Sequence, residues 1–209
     1  MAKRRESGAV AGPRTVSYRI VGESALYYSR PFPPDAKRAV DEGHDAFDER
    51  MWRERCHWES DDPQARAVVS GAQLKRSFTA AAKFRGEKIP GMGAKTWVKR
   101  FGAGILVTSD FVLDPHTTRA TVQGRAVFVP SDGKVGSTSG RVWRRFPLFA
   151  QWSADVKVVV LDGLIDADTF ERHAQTAGAF DGLGSFRPGS PSPNVYGRYS
   201  VSGFQWADM

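Results

Sequence analysis

One cysteine, Cys56, stands in 209 residues. A lone thiol forms no internal disulfide, and such a chain suits a reducing compartment. Long apolar runs are missing as well. The stretch Val156 to Leu161 is interrupted by Lys157 and falls far short of the ~18 residues that a membrane-spanning helix needs. The first residues, Met-Ala-Lys-Arg-Arg-Glu-Ser-Gly, run into Gly and Pro with no apolar segment, so no secretory signal is visible and a cytoplasmic protein with no membrane partner is expected. Histidine is scarce too. His44, Cys56 and His57 lie close in sequence, but a tetrahedral zinc site needs four ligands, and His116 and His173 fall in a turn and a helix. No phosphate-loop lysine motif occurs, and Gly91-x-Gly93 is too short for a dinucleotide fingerprint. No metal and no cofactor are expected. What is present is 41% apolar residues and six tryptophans, enough for a sizeable core and too much for a disordered chain.

Acid is lacking in one place only. The chain holds 30 Lys and Arg against 23 Asp and Glu, a formal charge of +7. Residues 1–74 carry 12 cations and 12 acids, and residues 101–209 carry 10 of each, so the whole excess lies in residues 75–100, with 8 cations and Glu87 as their one acid. These are Lys75, Arg76, Lys83, Arg85, Lys88, Lys95, Lys99 and Arg100. A one-signed patch concentrates polyanions, although a Lys-rich helix also serves solubility alone.

Residues 1–14 combine Lys-Arg-Arg with Gly and Pro and have no period, which predicts a flexible basic tail before a single domain over 15–209. Val16, Tyr18 and Ile20 alternate with Thr15, Ser17 and Arg19, the period of a strand over Thr15 to Val21. The cluster Pro31-Phe-Pro-Pro34 stops regular structure, and residues 36–66 are densely charged around Phe47, Met51, Trp52 and Trp58. This segment is expected to be a partly helical insertion whose aromatics dock on the core or meet a neighbouring subunit.

From Gly71, the residues Leu74, Phe78, Ala81 and Ala82 share an arc of about 100° on a helical wheel, with Lys75, Arg76 and Lys83 placed opposite and Gly86 as terminator. Lys88 to Lys95 reads as a mobile basic loop. Strands are expected at Ile105 to Leu113, Ala120 to Val129, Arg141 to Phe149 and Trp152 to Leu161, with a hairpin tip at Ser131 to Gly140. Asp168 and Glu171 have capping-box spacing for a helix that Gly178 or Gly182 can end. A closing strand is expected at Tyr196 to Phe204, with Tyr199, Val201 and Gly203 on one face. The order reduces to βαββαβ, so the expected fold is α+β, a ferredoxin-like antiparallel core with a charged insertion and a β-hairpin extension.

Two features carry chemistry. The cations of the basic helix and loop suit phosphates. The tract Gly182-Leu-Gly184-Ser-Phe-Arg187-Pro-Gly189 through Tyr196-Gly197-Arg198-Tyr199 permits close backbone approach, with Arg187 and Arg198 for charge and Tyr196 or Tyr199 for stacking. A surface loop whose glycines serve turn geometry is the plainer reading. The Asp41-Glu42 and Asp61-Asp62 pairs sit among arginines, where solvated ion pairing is the default.

The basic helix and loop, the Trp152 to Leu161 strand and the ending Gly182-Leu-Gly-Ser-Phe-Arg-Pro…Tyr-Gly-Arg-Tyr-Ser-Val201 resemble a family of uncharacterised phage and prophage proteins. That family is similar to the RAMP superfamily of CRISPR effector backbone subunits and guide-RNA-processing nucleases. The resemblance spans residues 70–204 and implies a glycine-rich loop at Gly182, Gly184, Gly189 and Gly197, lengthened here by Ser190-Pro-Ser-Pro193. It implies nucleic-acid binding, with no counterpart of the nucleases' catalytic histidine.

The resulting expectation is a non-enzymatic protein that binds single-stranded RNA or DNA through Lys75, Arg76, Lys83, Arg85, Lys95, Lys99 and Arg100, and through Gly182, Gly184, Arg187, Tyr196 and Arg198, and that assembles into a homo-oligomer. A virion or scaffold protein meeting an acidic protein partner is the alternative. A metal-independent ribonuclease using His44 or His57 comes third.

Overall fold

A computed structural model of the chain describes residues 12–132, 137–191 and 194–209. Most of the expected basic tail, part of the hairpin tip and Ser192-Pro193 lie outside the described residues. Strand β1 (Arg14–Gly22) buries Val16, Tyr18 and Ile20 on one face, as the alternation requires. The main sheet adds β4 (Ile105–Leu106), β8 (Ser153–Val160) and β9 (Tyr199–Asp208) in the order β4-β8-β1-β9. Every neighbouring pair is antiparallel, with Val16 opposite Val158 and Ile20 opposite Ala154. Helix α2 (Gly71–Arg85) lies between β1 and β4 in sequence, and α4 (Ala167–Thr176) between β8 and β9. This is the split βαβ plan of a ferredoxin-like core.

The core closes where the two helices meet the sheet. Phe170 of α4 is fully buried and meets Tyr18 of β1 at 5.9 Å, Phe78 of α2 at 5.2 Å and Trp206 of β9 at 5.4 Å between ring centroids. Trp206 reaches this face because β9 carries a bulge. Ser17 pairs with Gln205 and Arg19 with Ser202, so Gly203 (φ 70°) and Phe204 stand opposite Tyr18 alone. The extra residue resets the alternation. The closing strand therefore runs to Asp208, and Phe204 and Trp206, rather than Gly203, follow Tyr199 and Val201 on the core side.

The expected helix ends are partly corrected. Gly86 adopts the left-handed conformation and closes α2 by donating to Ala82 O, as C-terminal glycines do. Helix α4 is capped by Asp166, whose Oδ1 accepts from Thr169 N at 2.8 Å, so the cap precedes the expected Asp168 by two residues. A π-helical turn (Ala177–Asp181) follows α4 and ends at Gly182 (φ 70°). The expected strand at Ile105 to Leu113 is divided, because β5 (Phe111–Val112) leaves the main sheet to pair with β3 (Val68–Val69). Lys88 to Lys95 is a closed turn rather than a free loop. Ile89 N donates to Lys95 O at 2.9 Å, and Ile89 and Trp97 are buried, which leads into a short helix α3 (Val98–Ala103) that the sequence pattern did not announce.

The hairpin extension is β6 (Gln123–Pro130) and β7 (Arg141–Phe149), with β2 (Leu26–Tyr27) added at the base of β7. The charged insertion forms α1 (His44–Met51) and a 3-10 turn (Trp52–Arg55) that cover the open edge of β7, where Asp48 accepts from Arg145 N at 3.3 Å. Trp52 and Trp58 are buried inside the chain, so they serve its own core and not a neighbouring subunit.

His173 offers a test of this core. It is fully buried and stacks on Phe101 at 4.2 Å. Its Nδ1 donates to Thr169 O at 2.7 Å, while Nε2 has no hydrogen-bond partner. Burial holds its pKa below the usual 6.5, assisted by Arg85 and Arg172 and opposed by the Thr169 bond and Glu87. The folded state thus binds fewer protons than the unfolded one below pH 6.5, and stability falls as pH falls. Urea midpoints are expected to drop between pH 7.5 and 5.5, and His173→Phe to reduce that drop. An identical drop in the variant would contradict this assignment.

Candidate nucleic-acid interface

The wheel of α2 decides which cations reach solvent. Leu74, Phe78, Ala81 and Ala82 face the core. At about 100° per residue, Arg76 and Lys83 fall opposite that face and are exposed. Lys75 falls at its flank, which corrects the expectation that it joins them. Its ammonium donates to Phe101 O at 2.7 Å and Ile105 O at 2.5 Å, and desolvation lowers its pKa. Lys75 therefore caps the C-terminal end of α3 and binds that helix to α2. Arg85 lies on the azimuth of the buried face and turns inward, pairing with Glu87 and donating to Thr176 Oγ1 at 2.8 Å. Arg100 pairs with Asp162 at 2.7 Å. Lys83, Lys95 and Lys99 are exposed and form no ion pair among the described residues.

The glycine-rich segment is built inward. Gly182, Gly184 and Gly197 all have φ of 70°, and a Cβ on Gly184 would overlap Tyr27 O and Leu26. Gly184 N donates to Gln73 Oε1 at 3.1 Å, which fastens the segment to the first turns of α2. Arg187 is buried, donating to Gly184 O at 3.2 Å and Gly189 O at 3.3 Å, with Asp181 at 3.7 Å. This guanidinium holds the loop's shape and is not presented to solvent. Tyr196 stands edge-on to Tyr27 at 4.7 Å, Tyr199 is buried in the core, and the exposed Arg198 pairs with Glu23 at 3.3 Å. Gln73 and Arg85 are separated by about 18 Å along α2. The basic end of the helix and the glycine segment are thus two surfaces rather than one.

Between them the structure places a pair of rings that the sequence reading passed over. Phe84 of α2 and Phe180 of the π-helical turn are 62% and 53% exposed, yet they stack on each other at 4.2 Å with 24° between planes. Phe84 follows Lys83 directly, and Arg76 reaches Asp181, the neighbour of Phe180, at 3.6 Å. Phe84 meets the π-helical turn and Lys75 meets α3, and the two residues stand about 180° apart on the wheel of α2, so these elements lie along opposite flanks. The signal in the sequence was a phenylalanine off the apolar arc of the helix. Its partner lies 96 positions away in number and no local pattern points to it.

The charge of the expected hairpin also escapes a count by thirds of the chain. Residues 119–149 carry Arg119, Arg125, Lys134, Arg141, Arg144 and Arg145 against Asp132 alone, an excess hidden by averaging over 101–209. The open face of the main sheet is different in kind: Thr15, Ser17 and Arg19 lie there, and Arg19 is held by Asp114 and Asp155. Among the described residues it presents no exposed ring of the sort that RNA-recognition sheets use.

Cys56 is fully buried and its thiol is pushed far up by desolvation, which removes it as a ligand or nucleophile. His57 is half-buried, 3.3 Å from the Gln73 amide, with its pKa lowered by burial and by Arg30. His44 is exposed at the start of α1. No group of three or more His, Cys, Asp or Glu side chains that would hold a metal stands among the described residues. None of the described helices is long and apolar enough to cross a membrane.

Fold and surface together define an α+β protein of ferredoxin-like topology that carries exposed cations on α2 and α3 and an exposed ring pair on α2 and the π-helical turn. No known family matches its sequence and no curated protein matches it. Among solved structures it is similar to a chain of the type III-B Cmr-β complex bound to cognate target RNA, with a TM-score of 0.47 and 9% identity over 94% of this chain and 61% of that one. A chain of a CRISPR RNA-guided surveillance complex aligns with a TM-score of 0.33 and 13% identity over 79% of this chain and 60% of that one. The protein thus spans less than two thirds of either.

Proposed function

We propose that the protein binds single-stranded nucleic acid, as a binding protein rather than an enzyme, with bases on Phe84 and Phe180 and phosphates on Arg76, Lys83, Lys95 and Lys99. The observation that carries this reading is the exposed, stacked Phe84–Phe180 pair beside Lys83. A cation-lined surface interleaved with flat rings is the usual means of holding a strand without reading its sequence. A duplex keeps its bases stacked internally and offers the rings nothing, so single strands are preferred. The N–H groups of Gly182, Leu183 and Gly184 are spent on Ala177 O, Gly197 O and Gln73 Oε1, so the glycine segment adds no phosphate contact beyond the exposed Arg198, which Glu23 partly neutralises.

Fluorescence anisotropy of labelled single-stranded RNA, single-stranded DNA and duplex DNA across a salt series tests this. Both single strands are expected to bind more tightly than the duplex, with affinity falling as salt rises. Phe84→Ala and Phe180→Ala should each lower single-strand affinity by about tenfold, in line with the ~1–3 kcal/mol of a base–ring stack, and leave the salt slope unchanged because no charge is removed. Binding that ignores salt, or alanine variants that bind as the parent does, would overturn the proposal. A chain that binds no strand but captures an acidic polypeptide would favour the scaffold reading.

A further inference from the structure

Sheet edges in this fold are closed in several ways. Strand β9 carries its bulge at Gly203, and β4 and β2 are two residues long. The outer side of β7 is covered, with Tyr28 N donating to Pro147 O at 3.2 Å and Asp48 accepting from Arg145 N at 3.3 Å. Bulges, short strands and covering segments are the usual protection of an edge. Strand β6 has none of them. It ends the order β2-β7-β6, runs for eight residues and pairs with β7 without a bulge. The register decides which of its backbone groups look outward. Ser131 N donates to Gly140 O at 2.8 Å, so the hydrogen-bonded pairs of the ladder are Val129–Val142, Val127–Arg144 and Arg125–Phe146. Gly124, Ala126 and Phe128 therefore turn their N–H and C=O groups to the open side, where nothing among the described residues bonds to them.

The two faces at this edge differ in chemistry. Residues directly opposite in a register share a face, so Phe128 and Trp143 stand on one side with Gly124 and Ala126, and Arg144 stands on the other with Arg125 and Val127. The two rings are 46% and 67% exposed, with centroids 5.2 Å apart. Arg144 donates to Ser131 O at 2.6 Å and Arg125 lies beside the Tyr27 hydroxyl, and neither forms an ion pair among the described residues. Neither β6 nor β7 carries an acid. A free edge of alternating donors and acceptors is completed by another polypeptide strand. A nucleic-acid backbone presents phosphate acceptors and would leave the three carbonyls unpaired. A second copy of β6 would bring Arg125 and Arg144 toward the same groups of its partner, like charge against like. Charge and hydrogen bonding together fit an extended segment with acids on the arginine face and apolar residues on the ring face.

We infer that the free edge of β6 takes up an extended acidic polypeptide segment as an added strand, bonded to the backbone of Gly124, Ala126 and Phe128. Its acids meet Arg125 and Arg144, and its apolar residues pack beside Phe128 over the small Ala126. This partner site belongs to the hairpin and stands whether or not the α2 surface holds a nucleic-acid strand.

The probe is a fluorescein-labelled octapeptide of alternating Glu and Val, titrated against the whole chain by anisotropy beside two controls: the Lys–Val counterpart, and the Glu–Val peptide with N-methylated amides. Saturable binding of the Glu–Val peptide is expected, at least about tenfold tighter than either control and weakening as salt rises. Ala126→Pro removes the central outward donor without touching a bond to β7. Its thermal midpoint should hold and its peptide affinity should fall by at least about tenfold, while labelled single-stranded RNA binds as it does to the parent. Arg125→Glu/Arg144→Glu should shift the preference to the Lys–Val peptide, a readout that does not depend on how the proline variant folds. No binding of any peptide, or equal binding of the methylated one, would overturn the inference. So would a concentration-dependent dimer in sedimentation that Ala126→Pro abolishes, because the edge would then belong to a second copy. Loss of single-strand binding in Ala126→Pro, with no peptide bound by the parent, would overturn it in favour of nucleic acid.

Discussion

Reversing Lys83, Lys95 and Lys99 to glutamate together is expected to lower single-strand affinity by at least about 100-fold near 0.1 M salt and to flatten the log-log salt slope by about 2. These three ammonium groups are exposed and unpaired among the described residues, so each is free to displace a counterion from a phosphate. Lys75→Ala should behave differently although it lies in the same basic run. Its ammonium is spent on Phe101 O and Ile105 O, and its removal leaves two carbonyls short of a donor between α2 and α3. The expected outcome is a stability loss of about 1–3 kcal/mol with the salt slope of the surviving fold unchanged. Equal effects of the two variants on the slope would mean that side-chain position does not govern binding and that only total charge does.

Gly197→Ala is expected to cost about 2–4 kcal/mol in urea denaturation, from a positive φ and an overlap acting together. Gly197 has φ of 70°, and a Cβ there would overlap Leu183 O. Its own carbonyl accepts from Leu183 N at 2.9 Å and its N–H donates to Ala25 O at 2.8 Å, so the residue cannot move aside without opening the glycine segment. Gly91→Ala is the control. Its φ is 75° with nothing within 4 Å of the added Cβ, so it carries the backbone strain alone, about 1–2 kcal/mol. If the two substitutions cost the same, the glycine segment is not packed as described.

The core was legible in the sequence where burial imposes a period. The alternation of Val16, Tyr18 and Ile20 and the apolar arc of α2 gave the elements their faces, and the βαββαβ order follows from them. Local chemistry gave Gly86 as a helix end and Arg141 to Phe149 as a strand. What escaped depends on partners distant in the chain. The bulge at Gly203 exists only relative to β1, and the division of Ile105 to Leu113 exists only because Val68 and Val69 capture its second half. The candidate surface was read by residue type, and the folded chain sorts it by azimuth. Lys75 and Arg85 are drawn to the buried side and its flank, while Arg76 and Lys83 stay out. Arg100 and Arg187 were counted as free charge but have acids and carbonyls beside them. The Phe84–Phe180 stack arises from tertiary approach, which a one-dimensional charge count cannot register.

Photocrosslinking of a 4-thiouridine-labelled single strand to the full chain, followed by peptide mass spectrometry, places the strand on the protein most directly. Crosslinks should concentrate on the peptides bearing Phe84 and Phe180 and disappear when unlabelled strand or high salt is added. Crosslinks confined to the α1 insertion or to the open face of the main sheet, with Phe84 and Phe180 unmodified, would contradict the assignment of the α2 surface.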